Sequence, residues 1–243
     1  MGKPILNYKE IPSTNREAER LILEGIVVEN TFLVAEYQSD GKGRSQNKWI
    51  SEAGKNLLMS WIVFTEVLSV SRQFLLSKAV SLALIDMLND FAIPCRIKWP
   101  NDIVFHSNKL GGILIENSIM GSKIRHSIAG IGLNVNQLDF PSFPYAAVSM
   151  ASVSGKNFEL IEVRDHLIAA LEKRLELIQA KDFSILDLDY LNHLFRLDEA
   201  AVFSAEGSEF EGIIRGVDET GQLLVERGAV LSSFGFHEIK LKY

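Results

Sequence analysis

Apolar positions recur at close to a 3.6-residue period over residues 72–91, where Phe74, Leu75, Ala79, Leu82, Leu88 and Phe91 share a side, and this predicts a helix. The same period predicts a long amphipathic helix over 159–180 and a shorter one over 184–195. Residues 13–24 read as a helix as well. Thr14 with Glu17 fits a capping box, Leu21 and Ile22 lie on one side, and Gly25 closes the element. Shorter apolar runs bounded by turn residues predict strands at 32–35, 57–64, 95–99, 102–106, 110–117 and 127–135. In the last of these, Ala129, Gly130 and Gly132 are small enough to let backbones approach closely. Polar residues dominate from Gln38 to Lys55, and Pro and Phe recur over 140–147. After about Arg196 the pattern changes to short alternating runs (201–203, 212–217, 223–226, 236–241), separated by turns such as Asp218-Glu219-Thr220-Gly221.

Several strands follow one another through short turns, without strict alternation with helices. The expected class is α+β, with a mixed, largely antiparallel sheet and helices packed on one of its faces. Residues 1–195 would form this unit, and 196–243 a small SH3-like β-barrel.

Composition narrows the chemistry. The 243 residues are 47% hydrophobic and 23% charged, an ordinary globular balance. A net charge of −6 and a pI near 5.5 argue against a broad basic surface for DNA. The single cysteine, Cys95, excludes an internal disulfide and a thiolate metal cluster, and its place after Pro94 in an apolar strand predicts a buried structural thiol. The histidines at 106, 126, 166, 193 and 237 lack metal-ligand spacing, so no metal site is expected. No apolar run reaches membrane-spanning length, and Met1-Gly2-Lys3-Pro4 does not open a signal sequence, so a cytoplasmic protein without membrane contact is expected.

Two segments carry charge where fold alone does not ask for it. Lys98-Trp99-Pro100-Asn101-Asp102 interrupts an apolar stretch with a rigid turn, and Lys109-Leu110-Gly111-Gly112 follows it. A cation, a carboxylate and an amide at one turn, near a second cation and paired glycines, suggest a site for an anionic ligand. Gly41-Lys42-Gly43-Arg44 sets two cations among glycines, and Trp49, Ser51, Gly54 and Asn56 lead from it into the strand at Leu57. Alone, those four residues read as a solvated surface loop. They lack the spacing and Lys-Ser/Thr ending of a Walker A loop.

Together these segments resemble the biotin–protein ligase family. The pieces are Ser13-Thr14-Asn15, Gln38, Gly41-Lys42-Gly43-Arg44 with Trp49, Lys98-Trp99-Pro100-Asn101-Asp102, Lys109-Leu110-Gly111-Gly112-Ile113-Leu114-Ile115-Glu116 and Gly130-Ile131-Gly132-Leu133-Asn134-Val135-Asn136. They stand in the family's order across residues 13–136, and the C-terminal segment looks like the family's cap domain. The resemblance implies a class II synthetase-like fold and a two-step reaction. Biotin attacks the α-phosphorus of ATP, with Mg²⁺ offsetting the triphosphate, to give biotinyl-5′-adenylate. A lysine of a biotin carboxyl carrier protein or domain then takes the acyl group. By the same resemblance, Ser13, Thr14, Asn15, Gln38, Gly41, Lys109, Gly111 and Gly112 would hold biotin, whereas Lys42, Gly43, Arg44, Trp49, Lys98, Asn101 and Asn134 would hold ATP or the adenylate. Lys109, Arg44 and Asp102 are the expected catalytic residues, with Asp102 either orienting Lys109 or helping the attacking amine.

Each residue also has a plainer reading. Ser13-Thr14-Asn15 is a good N-cap whatever else it does. Asn134 and Asn136 suit turns, and Trp99 suits core packing. The family's loop commonly repeats its glycine–arginine pair, but here Ser45-Gln46-Asn47 follows Arg44. Some relatives carry an N-terminal DNA-binding domain. This chain reaches the catalytic motifs by Ser13, which leads us to expect a ligase without DNA binding. Some relatives also dimerise through the sheet, and the resemblance allows a homodimer here. A lipoate or octanoate ligase is the nearest alternative enzyme, and a non-catalytic binding module is the alternative of another class.

Overall fold

The structure is a computed structural model that describes residues 3–44, 47–65, 67–141 and 146–242. Met1-Gly2, the Ser45-Gln46 departure and half of the Pro- and Phe-rich loop lie outside the described residues. In chain order the elements are β1 (Ile5–Ile11), α1 (Thr14–Leu23), β2 (Thr31–Gln38), β3 (Leu57–Val63), α2 (Phe74–Asp90), β4 (Arg96–Lys98), β5 (Asp102–Phe105), β6 (Asn108–Met120), β7 (Lys123–Leu133), α3 (Met150–Ser154), α4 (Leu160–Ala180), α5 (Phe183–Asn192), β8 (Ala200–Ala205), β9 (Ser208–Val217), β10 (Leu223–Arg227), β11 (Val230–Phe234) and β12 (Ile239–Leu241).

Seven strands form one sheet in the order β1-β2-β3-β7-β6-β5-β4. The β1–β2 pair is parallel and the others are antiparallel. β3 is buried at every position because both faces of the sheet are covered. On one face Ala18 and Leu21 of α1 pack on Leu33, Ile62 and Ile128. The alternate residues of the same strands, among them Phe32, Trp61, Ala129 and Ile131, belong to the cluster that holds α2 and α4. Helices therefore lie on both faces, not on one as expected. Period-2 alternation in β2, β3 and β7 supplies apolar side chains to each side, so neither face could be left to water.

Because it is surrounded by the sheet, α4 and α5, α2 is apolar almost all round. Its buried Lys78 pairs with Asp187 of α5 at 2.7 Å. Arg174 of α4 grips Asp86 of α2 through two nitrogens at 2.7 and 2.8 Å, and Asp189 of α5 at 2.6 Å. Such forked charge-assisted bonds fix the relative placement of the three helices.

Several expectations are corrected here. Ser13, not Thr14, is the N-cap of α1, its side chain makes no capping bond, and the capping box is absent. Glu17 turns instead to Arg20 and Tyr8. Gly25 closes the helix as expected, at φ +70°, with its N–H on Ile22 O. β1 and α3 were not foreseen, because β1 is a half-exposed edge strand with Lys9 and Glu10 in it and α3 is a single short turn. The C-terminal strands form a second antiparallel sheet, ordered β11-β10-β9-β8-β12, in place of the closed barrel. β11, of five residues, and β12, of three, stand at the two edges of this sheet and do not pair with each other. This sheet shares the main core through Phe203, Ile214, Leu223 and Val225.

Cys95 is buried, and burial pushes its thiol up to about 12. At pH 8 only about one thiol in ten thousand would then be thiolate. A disulfide reagent is expected to leave the native protein unmodified over hours and to titrate one thiol at once in denaturant; rapid native reaction would contradict the packing.

Candidate active site

A β-bulge brings the site together. β5 and β6 pair Asp102 with Gly112 and Ile103 with Gly111, but Val104 faces Lys109, which leaves Leu110 as an extra residue. Residues three apart in a regular strand point to opposite faces. The bulge rotates Lys109 onto the face of Gly112 and Asp102. Its Nζ then lies 2.6 Å from Asp102 Oδ1. The backbone is pinned too: Lys109 N–H donates to Ala146 O, and Val148 N–H donates to Lys109 O, both at 2.9 Å.

The floor beside this pair is glycine. Gly112 lies opposite Gly132, and Leu114 opposite Gly130, so the three glycines share one face of β6 and β7. A Cβ on Gly132 would sit 2.5 Å from Trp49 Cε2, and one on Gly112 would sit 3.2 Å from Lys109 Nζ. A Cβ on Gly130 would run into Asn15 Oδ1. The Trp49 indole and the Asn15 amide thus rest directly on sheet backbone.

At the start of α1 the side chains that do not cap the helix point to the sheet. Ser60 Oγ lies 2.5 Å from Asn15 Oδ1 and 2.7 Å from Thr14 Oγ1. Thr14 donates to Gln38 Oε1 through N–H at 2.7 Å and Oγ1 at 3.1 Å. Asn15 Nδ2 donates to Glu116 Oε2 at 2.7 Å. Apart from the Glu116 carboxylate behind Asn15, these are neutral, oriented donors and acceptors, suited to a polar ligand head.

The cations come from the loop after β2, from the end of β4 and from β6. Gly43 N–H donates to Asn47 O at 2.7 Å and Trp49 N–H to Gly41 O at 2.9 Å, folding the loop back on itself. Burial holds the half-buried Arg44 guanidinium below its ordinary pKa, against the pull of Asp102. Burial also lowers Lys98, with Asp102 opposing and Lys109 reinforcing the shift. Asn101 closes the end of β5 by donating to Ile113 O at 2.7 Å and accepting from Ile113 N–H at 2.9 Å.

A cavity of about 170 Å³ joins these parts, with Ser13, Thr14, Asn15, Gln38, Lys42, Gly43, Arg44, Trp49, Asn101, Asp102, Lys109 and Gly112 on its walls. Gly41, Lys98, Gly111 and Asn134 are not on them. Gly111 faces Leu133 and Ile103 on the opposite side of β6, as alternation with Gly112 requires. Asn134 is buried, and its amide donates to Val148 O at 3.0 Å to hold the segment behind Lys109. Sequence reasoning gave no site role to Gly130, Gly132 and Lys48 on the walls, or to Ser60 and Glu116 behind them. The glycines were findable, since Gly-x-Gly in a strand bares one face. Trp99, read as core, reaches the second sheet, and its Nε1 donates to Gly221 O at 2.9 Å.

The arrangement brings cations, one carboxylate and neutral polar groups to the walls of one cavity. It can draw two anionic reactants together and orient a polar head.

The sequence profile of the biotin/lipoate A/B protein ligase family matches residues 8–134, more than half of the chain. The chain belongs to this family. Among ligases of the family it is 31% identical over 231 residues to the bifunctional ligase/repressor BirA of Bacillus spizizenii, covering 93% of this chain and 70% of that one. It is 28% identical to the biotin–[acetyl-CoA-carboxylase] ligase of Paracoccus denitrificans, over 88% of this chain and 90% of that one. The biotin protein ligase from Aquifex aeolicus, solved in complex with biotin and ATP, superposes with a TM-score of 0.82 at 27% identity and 99% coverage of both chains.

Proposed function

We propose that this chain is a biotin–protein ligase, which activates biotin with ATP to biotinyl-5′-adenylate and transfers it to a lysine of a biotin carboxyl carrier domain. The observation that carries the reading is the bulge-placed Lys109–Asp102 pair beside a glycine floor, in a family member similar across nearly its whole length to a ligase solved with biotin and ATP. In this reading Thr14, Asn15 and Gln38 meet the ureido head of biotin, and Ser60 and Glu116 orient them. Lys109 meets the biotin carboxylate and the α-phosphate. The carboxylate oxygen bonds to phosphorus as pyrophosphate leaves. The carrier amine then attacks the acyl carbon, AMP leaves, and the amine gives up a proton. Neither step needs a protein nucleophile; positioning and charge neutralisation supply the rate.

Mg²⁺ belongs to this proposal as the counter-ion that ATP brings. Asp102 is the one carboxylate among the described residues on the cavity walls, and Lys109 already engages it. No group of three His, Cys, Asp or Glu suited to a metal stands among the described residues. The proposal extends to the SH3-like character of the second sheet, to residues 196–243 as a unit of their own, to action without DNA and to a homodimer. No described helix is long and apolar enough to cross a membrane, and a cytoplasmic site is part of the same proposal. β5 pairs with β6 only to Gly112 and Asn101 takes both main-chain groups of Ile113, so the outer edge of β6 beyond Ile113 is a place for an extended carrier segment to add as a strand.

Biotin-dependent exchange of labelled pyrophosphate into ATP, run beside lipoate, tests the reading. Exchange with biotin supports it; exchange with lipoate alone moves the chain to the sister activity, and exchange with neither leaves a binding module. Arg44→Ala is expected to speed loss of preformed adenylate by about ten- to a hundredfold, since a charge-assisted contact contributes roughly 1.5–3 kcal/mol. An unchanged dissociation rate, measured by carrier-free chase, would remove Arg44 from that role.

A further inference from the structure

Phe236 lies in the loop between β11 and β12, far along the chain from every motif of the site. Its ring nonetheless carries the guanidinium of Arg44, with the Cζ 4.2 Å from the ring centroid. The same ring packs on Trp99 at 5.5 Å and on Phe74 at 6.0 Å between centroids. The loop that presents it is closed by Gly235 N–H donating to Glu238 Oε2 at 2.6 Å. Trp99 in turn holds the second sheet through Gly221 O, and a Cβ at Gly221 would stand 2.6 Å from the Phe74 ring. Gly221 has φ +96°, so both its conformation and its close approach suit glycine alone.

Arg44 is also where two cavities meet. It lines the main one and a smaller one of about 90 Å³, whose other walls include Phe74, Pro100, Asn101 and Phe236. A half-buried guanidinium needs something to set its direction, and the ring of Phe236, itself 40% exposed, does so without neutralising its charge. A carboxylate in that place would compete with an anionic ligand.

We infer that Phe236 is a positioning residue that holds the Arg44 guanidinium at the junction of the two cavities, so that the C-terminal sheet sets how long the site keeps an anionic adenylate. The inference rests on the ligase reading above for its ligand, though not for the contact itself.

The test compares Phe236→Leu, which keeps bulk and loses the π face, with Phe236→Tyr, which keeps both. Two readouts are taken on the full chain: carrier-free loss of biotinyl-adenylate, and trypsin cleavage of the Arg44–Ser45 bond without ligand, followed by mass spectrometry. F236L is expected to speed adenylate loss by about threefold to tenfold, and F236Y to stay within about twofold of the parent. F236L should also be cut sooner after Arg44, and F236Y at the parental rate. In an Arg44→Met background, F236L should add nothing to adenylate loss. Unchanged retention and cleavage in F236L would overturn the inference, as would multiplying effects of F236L and R44M, or an F236Y as impaired as F236L. If the parent forms no adenylate from biotin, the ligase reading fails, and the cleavage arm alone decides the clasp. Thermal melting checks that each variant is folded, and Phe236→Met replaces F236L should the latter not fold.

Discussion

Lys109→Met is expected to lower biotin-dependent pyrophosphate exchange by about 10²–10³-fold, the usual cost of removing one group aimed at developing transition-state charge. The size follows from how the lysine is held. Its backbone is bonded on both sides to the 146–148 segment, its Nζ is 2.6 Å from Asp102, and the bulge at Leu110 turns it over the glycine floor. A cation so fixed needs little reorganisation when the carboxylate and the phosphate approach. Lys109→Arg is not expected to rescue. The Nζ stands only 3.2 Å from where a Gly112 Cβ would be, close quarters for a guanidinium fork, and Arg and Lys are not interchangeable at such a point. Asp102→Asn separates the two roles open to that carboxylate. If it only orients Lys109, exchange and single-turnover transfer to a carrier fall together. If it assists the amine, exchange persists and transfer alone slows. A K109M protein that exchanged at the parental rate would remove Lys109 from the chemistry.

What could be read from the chain divides along a physical line. Local pattern carried α2, α4, β3 and the turn at Trp99–Asp102, because an apolar period or a Pro-Asn-Asp cluster is complete within a few residues. It could not tell that Lys109 and Gly112 share a face, since the bulge depends on how β5 meets β6. The same blindness paired Gly111 with Gly112 as ligand neighbours, although alternation turns Gly111 to Leu133. Thr14 looked like a cap from its spacing to Glu17, yet Gln38 and Ser60, distant in sequence, take its hydroxyl. Phe236 fell within an expected strand and lies in a loop against Arg44, a contact no local window contains. Anion chemistry was thus legible as residue types; the floor and the orienting shell needed the sheet.

Gly130→Ala is expected to raise the biotin KM by about 10²-fold, the equivalent of roughly 2.7 kcal/mol. The added methyl would meet the amide of Asn15, whose Cγ and Nδ2 stand 3.0 and 3.1 Å away, with Oδ1 nearer still. Neither partner can step aside cheaply. Gly130 is paired with Ser60 on β3 and with Leu114 on β6, so the backbone is held from both sides. Asn15 is tied to Ser60 at 2.5 Å and to Glu116 at 2.7 Å. Moving it would leave buried polar groups unmatched at roughly 1–3 kcal/mol each, and would carry the start of α1 away from the cavity. The loss should fall on biotin binding more than on ATP, because Arg44, Lys42 and Trp49 come from another segment. Asn15→Ala removes the clash as well as the contact, so N15A/G130A should bind biotin no worse than N15A alone. Calorimetric titration of biotin into the four proteins reads this directly. Parental affinity in G130A would mean that Asn15 does not touch the substrate, and additive losses in the pair would mean that Gly130 acts through something other than Asn15.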